Sequence, residues 1–192
     1  MTYTAPLFGT DNKLGVDLTT AGYDQPYTAT ASNPNNPEYP APPFSVGTVL
    51  SGGSSGVQAI YAQTAAATSV TQGDFCYINS SMLAAGLTST IAATAGQAAI
   101  LGVAMATLTT GQFGWFQTRG NCPAGVNVVN GVAANTILHT SGTAGRLTGT
   151  AVTGTSYPIN NIMTITTSAG TSGAYAAVIG GSMIINTATT LG

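Results

Sequence analysis

Charge is what this chain has least of. Three Lys or Arg and five Asp or Glu occur among 192 residues, 4% in all, for a net charge of −2, where an ordinary globular domain carries about 25% charged residues. Asp11, Lys13, Asp17, Asp24 and Glu38 account for most of them, and residues 75–118 and 147–192 contain none. Holding a phosphate backbone takes clustered cations, so three scattered ones argue against a nucleic-acid partner. Long apolar runs are missing as well. The best, residues 98–108, contains Gly102 and Thr107 and falls short of the ~20 residues of a spanning helix, so no membrane partner is expected. The opening "MTYTAPLFGTDNK" has no basic region leading into an apolar stretch, and no secretory signal is read there.

Reactive groups are equally scarce. His139 is the only histidine; a Ser-His-Asp arrangement would need it as base, but its strand-like setting beside Ile137 and Leu138 fits a structural histidine. Paired carboxylates for glycoside hydrolysis would have to join Asp74 to an acid before residue 39, since no other acid follows. Asp74 itself follows Gly73 at a turn-to-strand junction, where a carboxylate commonly caps backbone amides. Lys13 is the only lysine, and neither "GGSSG" at 52–56 nor "GTAGRLTG" at 142–149 has the spacing of a nucleotide-binding loop. Cys76 and Cys122 form no CxxC pair and read either as two separate buried thiols or as one disulfide, neither implying a metal. The expectation is therefore a protein without catalytic residues, cofactor or metal.

What is abundant is apolar and turn-forming: 44% hydrophobic residues and 25 glycines, with positive mean hydropathy of +0.28. Such a chain folds, because disorder needs low hydrophobicity with high net charge. Seven of nine prolines precede residue 44, densest in "ASNPNNPEYPAPP" at 31–43. Proline fixes φ and donates no backbone hydrogen bond, so residues 1–43 read as an extended arm, wrapped on its own domain or on a neighbour, with Tyr3, Leu7, Phe8, Tyr23, Tyr27 and Tyr39 spaced along it.

From Phe44 the texture changes to short β-prone segments separated by Gly, Asn and Ser turns. Strands are expected at 44–50, 57–62, 74–79, 99–106, 113–119, 126–129, 136–140, 162–167, 174–179 and 182–186, with at most one short helix in the Ala-rich stretch 89–106. The fold class that follows is all-β: a compact β-barrel or β-sandwich body over 44–192 behind the proline-rich arm. "VTQGDFCYI" at 70–78 and "VAANTILHT" at 132–140 share a Val, a turn-permissive Gly or Asn three residues on, and an alternating strand, at an offset of 62. Coincidence in a Gly/Thr-rich chain and a true structural repeat both account for that echo. Phe113 and Trp115 share one face of their strand, which suits a core or an interface better than stacking on a sugar. Arg119 and Arg146 have Asp74 or an arm carboxylate as candidate partners.

The stretch "VTQGDFCYI … AATAGQAAILGVAMATLTTGQFGWFQTRG", residues 70–120, resembles the body of decoration (cement) proteins and related head proteins of tailed bacteriophages, through a "VxxGD" turn into a strand, an apolar "ILGVAMA" strand and a glycine-bearing return. The resemblance implies a non-enzymatic virion protein on the outer capsid surface, often a trimer, clamping neighbouring major capsid protein subunits. In that role Tyr23, Tyr27 and Tyr39 anchor the arm on neighbours, and Phe113, Trp115 and Phe116 serve core or intersubunit packing. A phage tail or fibre component binding host glycans through Trp115 is the alternative. The arm and the low charge depart from many decoration proteins.

Overall fold

One strand organises the molecule. In the computed structural model, which describes residues 27–28, 44–52, 56–94, 99–150, 156–165 and 172–185, the longest strand is β7, Gln112–Val128. Ahead of it come β1 (Tyr27–Thr28), β2 (Val49–Gly52), β3 (Val57–Thr64), β4 (Phe75–Ile78), β5 (Leu83–Gly86), helix α1 (Ser89–Thr94) and β6 (Ile100–Ala104). After it follow β8 (Ile137–Thr140), β9 (Leu147–Thr148), β10 (Pro158–Thr164) and β11 (Gly173–Ile185). The body is all-β and contains a closed five-strand barrel. The single helix among the described residues is short, and the Thr88 hydroxyl caps it by accepting the Ile91 N–H at 3.2 Å.

The barrel runs β3–β5–β4–β6–β7 and returns to β3. Its first strand lies parallel to its third; all other joints, third to second, second to fourth, fourth to fifth and fifth to first, are antiparallel. The strands after β7 repeat this plan. With β7 again as first strand, β9 is parallel to it through Val128↔Leu147, and the joints β9–β8, β8–β10, β10–β11 and β11–β7 are antiparallel. A second ring of pairings is thus closed on the same strand, with β7 ending one unit and beginning the next.

The echo in the sequence marks this repeat. Val70 and Val132 are both buried. Gly73 at φ +86° and Asn135 at φ +59° both take the left-handed backbone that glycine and asparagine tolerate best. From that conformation Gly73 donates its N–H to Ala104 O at 2.9 Å, and Asn135 donates its own to the matching Thr164 O at 2.8 Å. Ala65 N–H to Ala84 O, at 2.8 Å, is likewise matched by Val129 N–H to Leu147 O, at 2.9 Å.

Alternation sorts the side chains. The barrel interior takes Ile60 and Ala62 from β3, Cys76 and Ile78 from β4, Ala84 from β5, Ala104 from β6 and Phe116 from β7. Five strands enclose little volume, so alanines face the one large ring. A larger cluster joins the outward residues Phe75, Leu101 and Val103 to Cys122, Val126, Leu138, Leu147, Ile159, Ile162, Ala177 and Ile179 of the second ring. The outside of one unit is thereby part of the same core as the inside of the next.

Where β7 leaves one ring for the other, Gln117 is fully buried. Its side-chain amide donates to Arg119 O at 3.0 Å and to Asn121 O at 2.7 Å, supplying donors to carbonyls at the transition, where Gly120 adopts φ +93°.

Several expected strands are corrected. Residues 44–48 are not strand, and β2 covers only Val49–Gly52. The separate strands at 113–119 and 126–129 are one strand, β7; its ladder to β11 slips between Tyr175 and Ala177, so residues 123–125, Pro123 among them, are bypassed. Those at 174–179 and 182–186 are likewise one, β11, residue 186 lying outside the described residues. The strand at 162–167 begins earlier, at Pro158, a first-residue position that needs no N–H. β5 and β9 were not foreseen.

Replacing Gln117 with Leu keeps most of its volume and removes both amide donors. Stability should fall by about 1 kcal/mol, the net worth of two part-buried hydrogen bonds less the relief of an Oε1 that is buried without a partner. Urea unfolding checks this; a transition unchanged from that of the native chain would show that the amide does not secure the β7 transition.

Candidate functional site

The residues singled out from sequence separate onto two faces of β7. Phe113 and Trp115 point outward and Phe116 inward, as a period of two demands. Trp115 is 1% exposed and lies in an aromatic cluster outside the barrel: its ring is 5.0 Å from that of Phe44 and 4.9 Å from that of Tyr61, and Tyr61 stacks on Phe113 at 6.2 Å. Ala59, Met105 and Leu50 complete the cluster. Edge and tilted ring contacts of this kind contribute about 0.5–1.5 kcal/mol each beyond burial. All three residues serve packing within the chain, and the Trp115 face on which a sugar would stack is occupied.

The arm meets the body at this point. β1 pairs antiparallel with β7 through Tyr27↔Phe113 and Thr28↔Gln112, so backbone of the proline-rich segment joins the sheet beside the aromatic cluster. Tyr23 and Tyr39, the remainder of the arm and the Tyr27 side chain lie outside the described residues.

Asp74 is a structural residue at the joint between the two rings. Its carboxylate accepts the Thr71 N–H at 2.7 Å and the Asn127 side-chain amide at 2.8 Å, capping the turn as its position suggests and tying β4 to β7. Gly145 closes over it at φ +73°; a Cβ there would stand 2.6 Å from the Asp74 carboxyl carbon. Gly145 O accepts the Phe75 N–H at 2.7 Å, and Gly145 N–H donates to Leu87 O at 3.0 Å. The loop after β8 is thus bonded into the first barrel.

The nucleophile and base candidates are in poor positions for chemistry. Cys76 and Cys122 are both free and buried, so the disulfide alternative is not realised. Burial, and secondarily the Asp74 charge, hold the Cys76 thiol well above its ordinary value; burial pushes Cys122 up to about 12. A thiol that stays protonated is neither a nucleophile nor a metal ligand. His139 sits on β8 opposite Thr148 and Pro158, its Nδ1 buried without a hydrogen-bond partner. Burial lowers its pKa. Among the described residues no group of three or more His, Cys, Asp or Glu is placed to hold a metal ion. Among the described residues no helix is long and apolar enough to cross a membrane.

Sequence reasoning missed one surface. Ile137, Met163, Ile165, Val178 and Ile184 are exposed on β8, β10, β11 and the residue after β10. In the sequence they are indistinguishable from core positions of the same strands; only the pairing shows that they face outward.

Two expectations follow. Both thiols should resist a disulfide-exchange reagent in the folded protein at pH 8 and react fully on unfolding; rapid labelling of Cys122 in the folded protein would contradict its burial. Because the His139 pKa is depressed on folding, its contribution to stability is present above the ordinary imidazole value of 6.5 and is lost as pH falls below it. His139→Gln should flatten the stability profile over that acid limb, measured by thermal unfolding from pH 8 to pH 5, while an unflattened profile would place the titration elsewhere. In comparisons with protein-family models, curated proteins and solved structures no match was found, and the chain's function is therefore read from its own residues.

Proposed function

We propose that the protein is a virion structural protein, a capsid decoration protein that binds the outer capsid surface and reinforces contacts between major capsid protein subunits, as a homo-oligomer and in the expected case a trimer. The observation that carries this reading is the joint of arm and body: β1 hydrogen-bonds to β7 at Tyr27↔Phe113, where Trp115, Tyr61 and Phe44 are packed. The proline-rich segment is thereby attached to a body stiffened by closed strand pairing. Prolines restrict the free chain in advance, which lowers the ordering cost when an arm docks across a subunit boundary. A standard interface of about 1,600 Å² then needs shape and apolar area, with no poised ionisable group.

Two further features support it. The segment that resembles decoration proteins, residues 70–120, spans β4, β5, α1 and β6 and reaches into β7, so the likeness falls on the pairing plan of the barrel. Asp74 and the two cysteines serve the chain's own packing: Asp74 holds a turn and the cysteines fill cores. The glycan-binding alternative assigned Trp115 an exposed role, and its 1% exposure removes the observation that favoured it.

The test is attachment to shells assembled from the major capsid protein of the same phage. The full chain should co-sediment with shells at saturable stoichiometry, and a chain lacking residues 1–43 should bind at least about tenfold more weakly, a loss of roughly 1.4 kcal/mol, while its circular dichroism keeps the β signature. Equal binding by both chains would remove the arm's role, and absence of binding by the full chain would overturn the proposal.

A further inference from the structure

The repeat makes one face of the molecule conspicuous. In the first unit, the cross-strand row Phe75↔Val103↔Gln117 runs over β4, β6 and β7. In the second, the same positions are Ile137↔Met163↔Val178, over β8, β10 and β11. The registers match step for step: Ala104↔Phe116 beside the first row corresponds to Thr164↔Ala177 beside the second.

Equivalent positions have opposite environments. Phe75, Val103 and Gln117 are each 0% exposed, whereas Ile137, Met163 and Val178 are 59%, 41% and 36% exposed. The first row is covered because the next unit lies against it: Phe75 and Val103 share a buried cluster with Cys122, Val126, Ala177 and Ile179. Among the described residues no further unit covers the second row. Ile165, at 44% exposed, and Ile184, at 58%, extend the same apolar surface. Scattered apolar residues on a surface are ordinary, but a row across three adjacent strands is a contiguous patch of the kind that marks a contact site.

The strand that would carry the next unit is also present. β7 continues beyond its pairing with β3, which ends at Arg119, and founds the second ring with its remaining residues. β11 likewise continues beyond its pairing with β7, which ends at Ile179, for residues 180–185. There it pairs with β10 through Ile184↔Asn160 and Ile185↔Ile159, and among the described residues no strand takes its other edge.

We propose that the Ile137–Met163–Val178 face is the docking surface for a second copy of this chain. The occupant is indicated by the molecule itself, since the equivalent face of the first unit is covered by a unit of this same fold. Charge agrees: no charged residue occurs over 147–192, so the face selects no strongly charged partner and two copies meet without repulsion. This inference deepens the self-association named above by giving it a surface. It is tested on the isolated chain, so it and capsid attachment fail separately.

The experiment is sedimentation velocity of the full chain over a range of concentrations, with Ile137→Lys and Met163→Lys singly and together. The native chain should sediment as an assembly larger than one copy. The double variant should associate roughly tenfold or more weakly, with a thermal transition like that of the native chain, because both side chains are exposed. Ile137→Thr with Met163→Thr serves if the lysines disturb folding, and should weaken association in the same direction. Val49→Lys, at an equally exposed position of the first unit, should leave association intact. A native chain that is a monomer throughout, or an assembly unaffected by either double variant, would overturn the proposal.

Discussion

A single strand belonging to two rings is the constraint on which the structure depends. β7 supplies the last strand of one barrel and the first strand of the next pairing circuit, so neither unit is complete without the other. Sharing removes a linker and two sheet edges, and exposed edges are what a β protein must otherwise protect against pairing with strangers. It also creates a demand at the transition, where backbone groups change partners within a few residues. Gln117 meets that demand from inside the core, by directing its amide to Arg119 O and Asn121 O. Its Oε1 is buried without a partner, so what the side chain contributes is register, fixed by the two bonds its amide donates.

Apolar contacts line both the inside and the outside of the first barrel, and exposed positions such as Ser80, Thr109, Asn121 and Asn160 carry uncharged polar side chains. Asp74 is the instructive exception. It is accommodated because the Thr71 amide and the Asn127 side chain satisfy its oxygens, and its place at the joint makes it part of how the second unit is held against the first.

Much of this was legible in the residues, and the failures have physical causes. Strands with β-branched or aromatic residues bounded by glycine, such as β3, β4, β6 and β8, were visible as segments. β5, with sequence LAAG, was not, because alanine carries little strand preference; its place is decided by β3 and β4 on either side. The continuity of β7 and β11 was not legible either: each runs on through a place where its ladder slips register, at residues 123–125 of β7 and 180–183 of β11. The offset of 62 was legible through two residues, Gly73 and Asn135, because a positive φ restricts residue choice where ordinary strand does not. The placement of Phe113 and Trp115 on one face followed from alternation alone. Their burial did not, since Phe44 and Tyr61 reach them only through the fold. The exposed row on the second unit could not be read from sequence at all: Ile137 and Leu138 are both aliphatic, and pairing alone decides which of them faces water.

The measurement that bears most directly on the proposed function is the copy number of this chain in purified phage particles from the organism that carries its gene, by quantitative mass spectrometry against the major capsid protein. A protein that reinforces the shell should be present at a number of copies comparable to that of the capsid subunit. A count confined to the few positions of a tail or fibre would contradict the decoration role, and absence from the particle would end the virion reading altogether.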